Sequence, residues 1–325
     1  MEVSNPPQVN SFSTLEVDNN AIKPIALKPG DTIALMEIGT LLKEDRIQKL
    51  EAYRKQLQEM GFKVYVASSF YKPIGRFVGT DEERAEAFME CFSNPEIKMI
   101  WFLRGGEGGL YMLKHIDFGK IIKNPKIVLG MSDPTSLHIG LNNRNMVTFL
   151  GPLVNQVFDK EDKESQKALE QVMDLVSGKA NKEKWVDPFI HTITGGQATG
   201  RLVGGNLSLI AASIGTPYQI QTKGKILVLE DVDEPVRKID RFFWQLEEAG
   251  LLGDLAGVIL GMWTDCEIKE LMPVFTKYFC HKNYPVMCGF PTGHIVNQVT
   301  LPLNCMAELD ADQKCVTLLE SSLQT

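Results

Sequence analysis

From residue 28 to residue 141, short apolar runs alternate with amphipathic stretches, and this alternation restricts the fold more than any other feature of the chain. The turn Lys28-Pro29-Gly30-Asp31 leads into Thr32-Ile33-Ala34-Leu35-Met36, which reads as a buried strand. Residues 43–60 carry apolar side chains at helical spacing, Gly61 stops them, and Phe62-Lys63-Val64-Tyr65-Val66 resumes as a strand. The cycle repeats: a helix over Asp81–Met89, a strand over Met99–Leu103, a helix around Leu110–His115, then the strand Lys126-Ile127-Val128-Leu129 and a helix from Ser136. Strands and helices in such alternation predict an α/β fold, a parallel sheet with helices on both faces. Ligands of such sheets bind at the carboxyl ends of the strands.

Beyond residue 157 the composition shifts. Asp159-Lys160-Glu161-Asp162-Lys163-Glu164 opens a charged stretch, followed by Gly-rich turns and short β runs. The expected organisation is a flexible extension over 1–25, an α/β domain over 26–160, a linker over 161–195 and a smaller β-rich α+β domain over 196–325. One strong amphipathic helix, Val236 to Glu248, interrupts the second domain, and Gly250 ends it. Apolar residues at 44% of 325 suffice for full cores. A net charge of −7 with no Lys/Arg stripe excludes a general nucleic-acid binder. Six cysteines without a CxxC pair read as free thiols of a reducing compartment. The N-terminus lacks a signal-peptide pattern and no apolar run reaches membrane length, so a cytoplasmic protein without a membrane partner is expected.

The run Gly130-Met131-Ser132-Asp133-Pro134-Thr135 lies between a strand and a helix. There a serine can stand beside helix-start N–H groups, as a nucleophile with half an oxyanion hole. The same residues also read as an ordinary helix start, Asp133 the cap and Pro134 the first helical residue, with Ser132 a bystander. Pro134 stands where G-x-S-x-G has its second glycine, so that motif is not met. The turn Arg104-Gly105-Gly106-Glu107-Gly108-Gly109 fits neither a dinucleotide fingerprint nor a P-loop. Its glycines read either as a plain turn or as a second oxyanion donor, Gly106 first.

A base must come from five histidines. His138 lies too far along the helix to reach Ser132. His115, His191 and His281 sit in unexceptional settings, whereas His294 ends the rigid loop Gly289-Phe290-Pro291-Thr292-Gly293. Glu230 ends the apolar strand Ile226–Leu229 and suits a histidine-orienting role. With Asp231, Asp233 and Glu234 it also reads as a solvated acidic loop, without EF-hand spacing. Cys280, His281, Cys288 and His294 match no zinc-finger spacing, and no metal or cofactor is expected.

Eight blocks together resemble the LD-carboxypeptidase family of serine peptidases, which includes muramoyl-tetrapeptide carboxypeptidases and microcin C immunity peptidases. They are Lys28–Ile33, Gly79–Arg84, Arg104–Gly106, Gly130–Asp133, Gly204–Leu207, Gly215–Tyr218, Leu229–Pro235 and Phe290–His294. The resemblance implies a flavodoxin-like N-terminal domain with a smaller C-terminal one, often dimeric. It also implies Ser132 as nucleophile, His294 as general base and then acid, and Glu230 as the orienting carboxylate. The oxyanion donors would be the N–H groups of Asp133 and Gly106, and Arg104 is a candidate for the substrate carboxylate. The implied substrate is a murein tetrapeptide, cut before its terminal D-alanine in peptidoglycan recycling.

Glu37-Ile38-Gly39 stands where the family often has a Pro-Ser-Gly turn, Glu107 where an aromatic residue is common, and Pro134 where threonine or a larger apolar residue is usual. The first two border the expected cleft and bear on the substrate more than on the reaction. Two rival readings stand beside this one: a related amidase cleaving peptide–nucleotide conjugates, and a catalytically silent flavodoxin-like binding protein.

Overall fold

The computed structural model describes residues 20–40, 44–160, 162–180 and 183–324. The first sheet has six strands, in the order Leu301–Leu303, Thr148–Leu150, Ile127–Gly130, Ile97–Phe102, Thr32–Met36, Lys63–Val66. All but Leu301–Leu303 run parallel. Counted along the chain, the five parallel strands lie in the 2-1-3-4-5 order of a flavodoxin-like doubly wound sheet. Thr32–Met36 and Ile127–Gly130 are buried along their whole lengths, as strands covered by helices on both faces must be.

Local chemistry sets the helix ends. The helix Asp81–Ser93 starts with a capping box: Thr80 Oγ1 accepts from Glu83 N at 3.2 Å and Glu83 Oε2 accepts from Thr80 N at 3.0 Å. Such a cap contributes about 1 kcal/mol. The helix Glu44–Glu59 is followed by Gly61 at φ 91°, a conformation open to glycine at little cost.

The strand order reverses between Thr32–Met36 and Ile97–Phe102, so the turns after these two strands meet at a topological switch point. The contact is close. A Cβ on Gly39 would lie 1.6 Å from the Glu107 carbonyl oxygen, so only glycine fits there.

The second sheet has eight strands, in the order Lys184–Val186, Cys315–Leu318, Met306–Asp310, Gln197–Asn206, Ile226–Asp231, Gly257–Trp263, Val286–Cys288, His191–Thr194. Four consecutive strands, from Gln197–Asn206 to Val286–Cys288, are parallel. The helices Leu207–Ser213, Val236–Glu248 and Ile268–Phe279 connect them. Val236–Glu248 buries Ile239, Phe243 and Leu246, and Gly250 follows it at φ 74°.

The sheets interlock. Leu301–Leu303 leaves the second half of the chain to pair antiparallel with Thr148–Leu150. Ile22 bridges Met146 and Ile25 bridges Gln324. A single apolar core holds Trp101 and Phe149 of the first sheet together with Ile259 and Leu309 of the second. Of the expected N-terminal extension, residues 1–19 lie outside the described residues. The span 161–195 contains the helix Lys163–Val176 and two edge strands of the second sheet. Among the described residues no helix is long and apolar enough to cross a membrane.

Candidate active site

Ser132 sits between the strand Ile127–Gly130 and the helix Thr135–Asn142, with φ at 64°. A non-glycine residue held in the left-handed region costs on the order of 1–3 kcal/mol and persists only where its surroundings enforce it. Here they do. A Cβ on Gly130 would meet the Phe102 ring at 2.8 Å and Pro134 at 3.1 Å, and Thr135 N donates to Ser132 O at 2.8 Å. Below the turn, buried His138 puts Nε2 2.9 Å from Gly130 O. A carbonyl only accepts, so Nε2 carries the proton; burial pulls this imidazole down to about 4, and it stays neutral near pH 7.

Asp133 departs from the sequence reading of a helix cap. The helix begins at Thr135 with no side-chain cap, and the Asp133 carboxylate turns away to accept from Gly109 N at 2.8 Å. Its side chain is buried, and burial pushes the carboxyl up to about 6, opposed by the Gly109 N–H and the Arg84 charge.

The Arg104–Gly109 loop leaves the neighbouring strand and passes directly beside the serine. A Cβ on Gly105 would lie 2.8 Å from Ser132 Oγ. Gly106, at φ 141°, packs against Thr40. Among the described residues, neither the Gly106 nor the Asp133 N–H donates to a protein acceptor. Arg104 donates from Nη2 to Thr40 O at 3.2 Å, and its Nε is 3.5 Å from Oε2 of fully buried Glu37. Exposed Glu107 pairs instead with Arg76, at 3.1 Å.

On the second sheet, Glu230 near the end of Ile226–Asp231 is fully buried. Its Oε2 lies 2.7 Å from His294 Nδ1. Gly293, at φ 121°, brings the histidine loop down onto the strand: a Cβ there would be 3.0 Å from Glu230 Cβ. Burial by itself would lower the His294 pKa. The Glu230 hydrogen bond and the charges of Glu230, Asp231 and Asp233 outweigh it and raise the value above the ordinary one.

Two contacts bring the Ser132 turn to the Glu230–His294 pair. Thr135 Oγ1 accepts from Asn206 N at 3.0 Å, and Asn206 is the register partner of Glu230. Gln298 Nε2, four residues past His294, reaches Met131 Sδ at 3.0 Å. Ser132 Oγ and His294 make no direct hydrogen bond among the described residues, as is common before substrate tightens a site.

Residue types alone give no role to the side chains of Thr135, Asn206 and Gln298, because each acts through a contact more than 20 residues away in the chain. The remaining histidines lie elsewhere. His115 faces Glu82 at 3.3 Å, His191 starts an edge strand, and His281 follows the helix Ile268–Phe279. Among the described residues no group of three or more His, Cys, Asp or Glu is placed to hold a metal.

With this geometry in view, comparison with known proteins is specific. Residues 33–151 match the LD-carboxypeptidase N-terminal domain and residues 199–309 the LD-carboxypeptidase C-terminal domain. A probable murein peptide carboxypeptidase of Bacillus subtilis is 32% identical over 91% of this chain and 94% of its own length. The muramoyltetrapeptide carboxypeptidase structure from Oxalobacter formigenes superposes with a TM-score of 0.77 at 28% identity, over 88% of this chain and 97% of that one. MccF in complex with glutamyl sulfamoyl guanosine superposes with a TM-score of 0.84 at 24% identity, over 93% and 100% of the two chains, a likeness of fold.

Proposed function

Because the chain belongs to the LD-carboxypeptidase family, we propose that it hydrolyses murein tetrapeptides as a serine carboxypeptidase, releasing the terminal D-alanine in peptidoglycan recycling. The observation that carries this reading is the 2.7 Å contact of His294 Nδ1 with Glu230 Oε2. An ionised carboxylate only accepts, so Nδ1 keeps the proton and Nε2 is left as a base for the serine.

In the first step Ser132 Oγ adds to the carbonyl carbon before the terminal D-residue, and its proton passes to His294 Nε2. The oxyanion is held by the Asp133 and Gly106 N–H groups, which no protein acceptor occupies among the described residues. The C–N bond then breaks as Nε2 gives the proton to the leaving amine. Water, deprotonated by the same nitrogen, attacks the acyl-enzyme, and the proton returns to Ser132 Oγ. Glu230 steadies the imidazolium through both halves. Ser132, His294 and the attacking water supply every proton and electron pair, so the reaction asks for no cofactor. Arg104, at the loop beside the serine, is our candidate for the substrate's free carboxylate, its charge tempered by Glu37. A homodimer in the cytoplasm completes the reading, as composition and family resemblance suggest.

The test is mass spectrometry of L-Ala-γ-D-Glu-meso-diaminopimelate-D-Ala after incubation with the protein. Loss of D-alanine that disappears in Ser132→Ala supports the proposal. An intact tetrapeptide, with cleavage of an aminoacyl sulfamoyl nucleoside instead, moves the protein to the conjugate-cleaving reading.

A further inference from the structure

The loop Arg104–Gly109 is tied down on two sides by different chemistry. Toward the first strand and the helix Asp81–Ser93, Glu107 N donates to Thr40 Oγ1 at 3.2 Å. On that side too, fully buried Arg84 donates from Nη2 to Gly108 O at 3.4 Å. Arg84 is itself held by Gly79 O at 2.8 Å and the Asp81 carboxylate at 2.5 Å. Toward the serine, the hydrogen bond among the described residues is Gly109 N to Asp133 Oδ2, at 2.8 Å.

Resting on the proposed serine mechanism, we propose that the Asp133 carboxylate is a positioning residue: it locks the glycine loop to the nucleophile turn and so sets the spacing of the two oxyanion donors. One residue then does both jobs, its backbone N–H facing the reacting oxygen and its side chain placing the loop that carries Gly106. The geometry leaves no slack. A Cβ on Gly109 would lie 2.2 Å from Ser136 Oγ, and Ser136 Oγ donates to Asp133 O at 2.7 Å, so loop, carboxylate and helix start interlock. A Cβ on Gly105, four residues before the tether, would already collide with Ser132. Freed from Asp133, the loop stays attached to Thr40 and Arg84, which belong to other elements and do not follow the serine. Displacement of a reacting group by ~1 Å costs on the order of a hundredfold in rate.

The experiment compares wild type, Asp133→Ala, Asp133→Asn and Ser132→Ala in tetrapeptide hydrolysis, with affinity for a tetrapeptide boronate as a transition-state probe. Asp133→Ala is expected to lose about 10- to 100-fold in kcat with little change in KM, and to weaken the boronate by a similar factor. Asp133→Asn, which keeps an acceptor oxygen, is expected to recover most of that loss. Wild-type kcat in Asp133→Ala, where Ser132→Ala is inactive, overturns the positioning role and leaves the nucleophile standing. A kcat loss that Asn does not relieve, with unchanged boronate affinity, also overturns it. Full activity in Ser132→Ala overturns the serine mechanism itself.

Discussion

Ser132 at φ 64° and the Glu230–His294 contact are the residue-scale facts on which the proposed chemistry turns. Glu230 favours the imidazolium and raises the His294 pKa, whereas the base of the proposed mechanism is the neutral ring. Activity should therefore rise with pH through an inflection above the ordinary histidine value of 6.5. In Glu230→Gln the raising contribution is lost and the inflection moves to lower pH. The rate at the plateau falls by about two to four orders of magnitude, because the ring loses its fixed tautomer. A kcat/KM profile from pH 5 to 9 checks both; an unmoved inflection would exclude Glu230 as the partner. At this scale residue types alone offered candidates, without their roles. A serine on a strand–helix turn, a carboxylate ending an apolar strand and a histidine in a Pro/Gly loop were candidates with plain readings beside them, and the resemblance to the LD-carboxypeptidase family joined them into one proposal. The Asp133 side chain was not among them: a helix cap is the local expectation, and the Gly109 N–H that takes its carboxylate comes from a loop 24 residues away.

At the scale of elements, the joint between the helix Thr135–Asn142 and the strand Gln197–Asn206 decides whether the two halves of the site meet. Thr135 is fully buried, and its hydroxyl receives the Asn206 N–H. A Cβ on Gly205 would lie 2.5 Å from that same Oγ1, so the strand approaches on bare backbone. Asn206 Nδ2 in turn donates to Asp231 Oδ1 at 2.9 Å, beside Glu230. Thr135→Val keeps the volume but leaves the Asn206 N–H buried without its acceptor. Urea unfolding should show a loss of about 1–3 kcal/mol. Hydrolysis should slow in the same variant, whereas an unchanged midpoint and rate would show the joint to be dispensable. Four of the five parallel strands of the first sheet, and their direction, followed from periodicity; Thr148–Leu150 carries too short an apolar run to stand out. The order of the strands did not, because pairing is set by packing between distant segments and leaves no mark on the spacing of apolar residues.

For the whole molecule, Leu301–Leu303 is the element that sequence could least assign. Three apolar positions among other β runs look like a strand of the second domain, yet they close the edge of the first sheet. With Ile22 and Ile25 bridging to Met146 and Gln324, the chain crosses between its halves more than once. The main core draws on both sheets. The two halves should therefore unfold together: far-UV ellipticity and the fluorescence of the four tryptophans, among them Trp101 in the first sheet and Trp263 in the second, are expected to share one urea midpoint. Separate midpoints would mean that the sheets are independent folding units.

The central claim is that Ser132, Glu230 and His294, carried by two sheets, act as one nucleophilic unit. The most direct measurement is peptide-level mass spectrometry of the native protein after exposure to a fluorophosphonate. The account predicts a single phosphonyl adduct on Ser132, formed rapidly in wild type and not in His294→Ala. An adduct absent from Ser132, or formed there equally fast without His294, would contradict it.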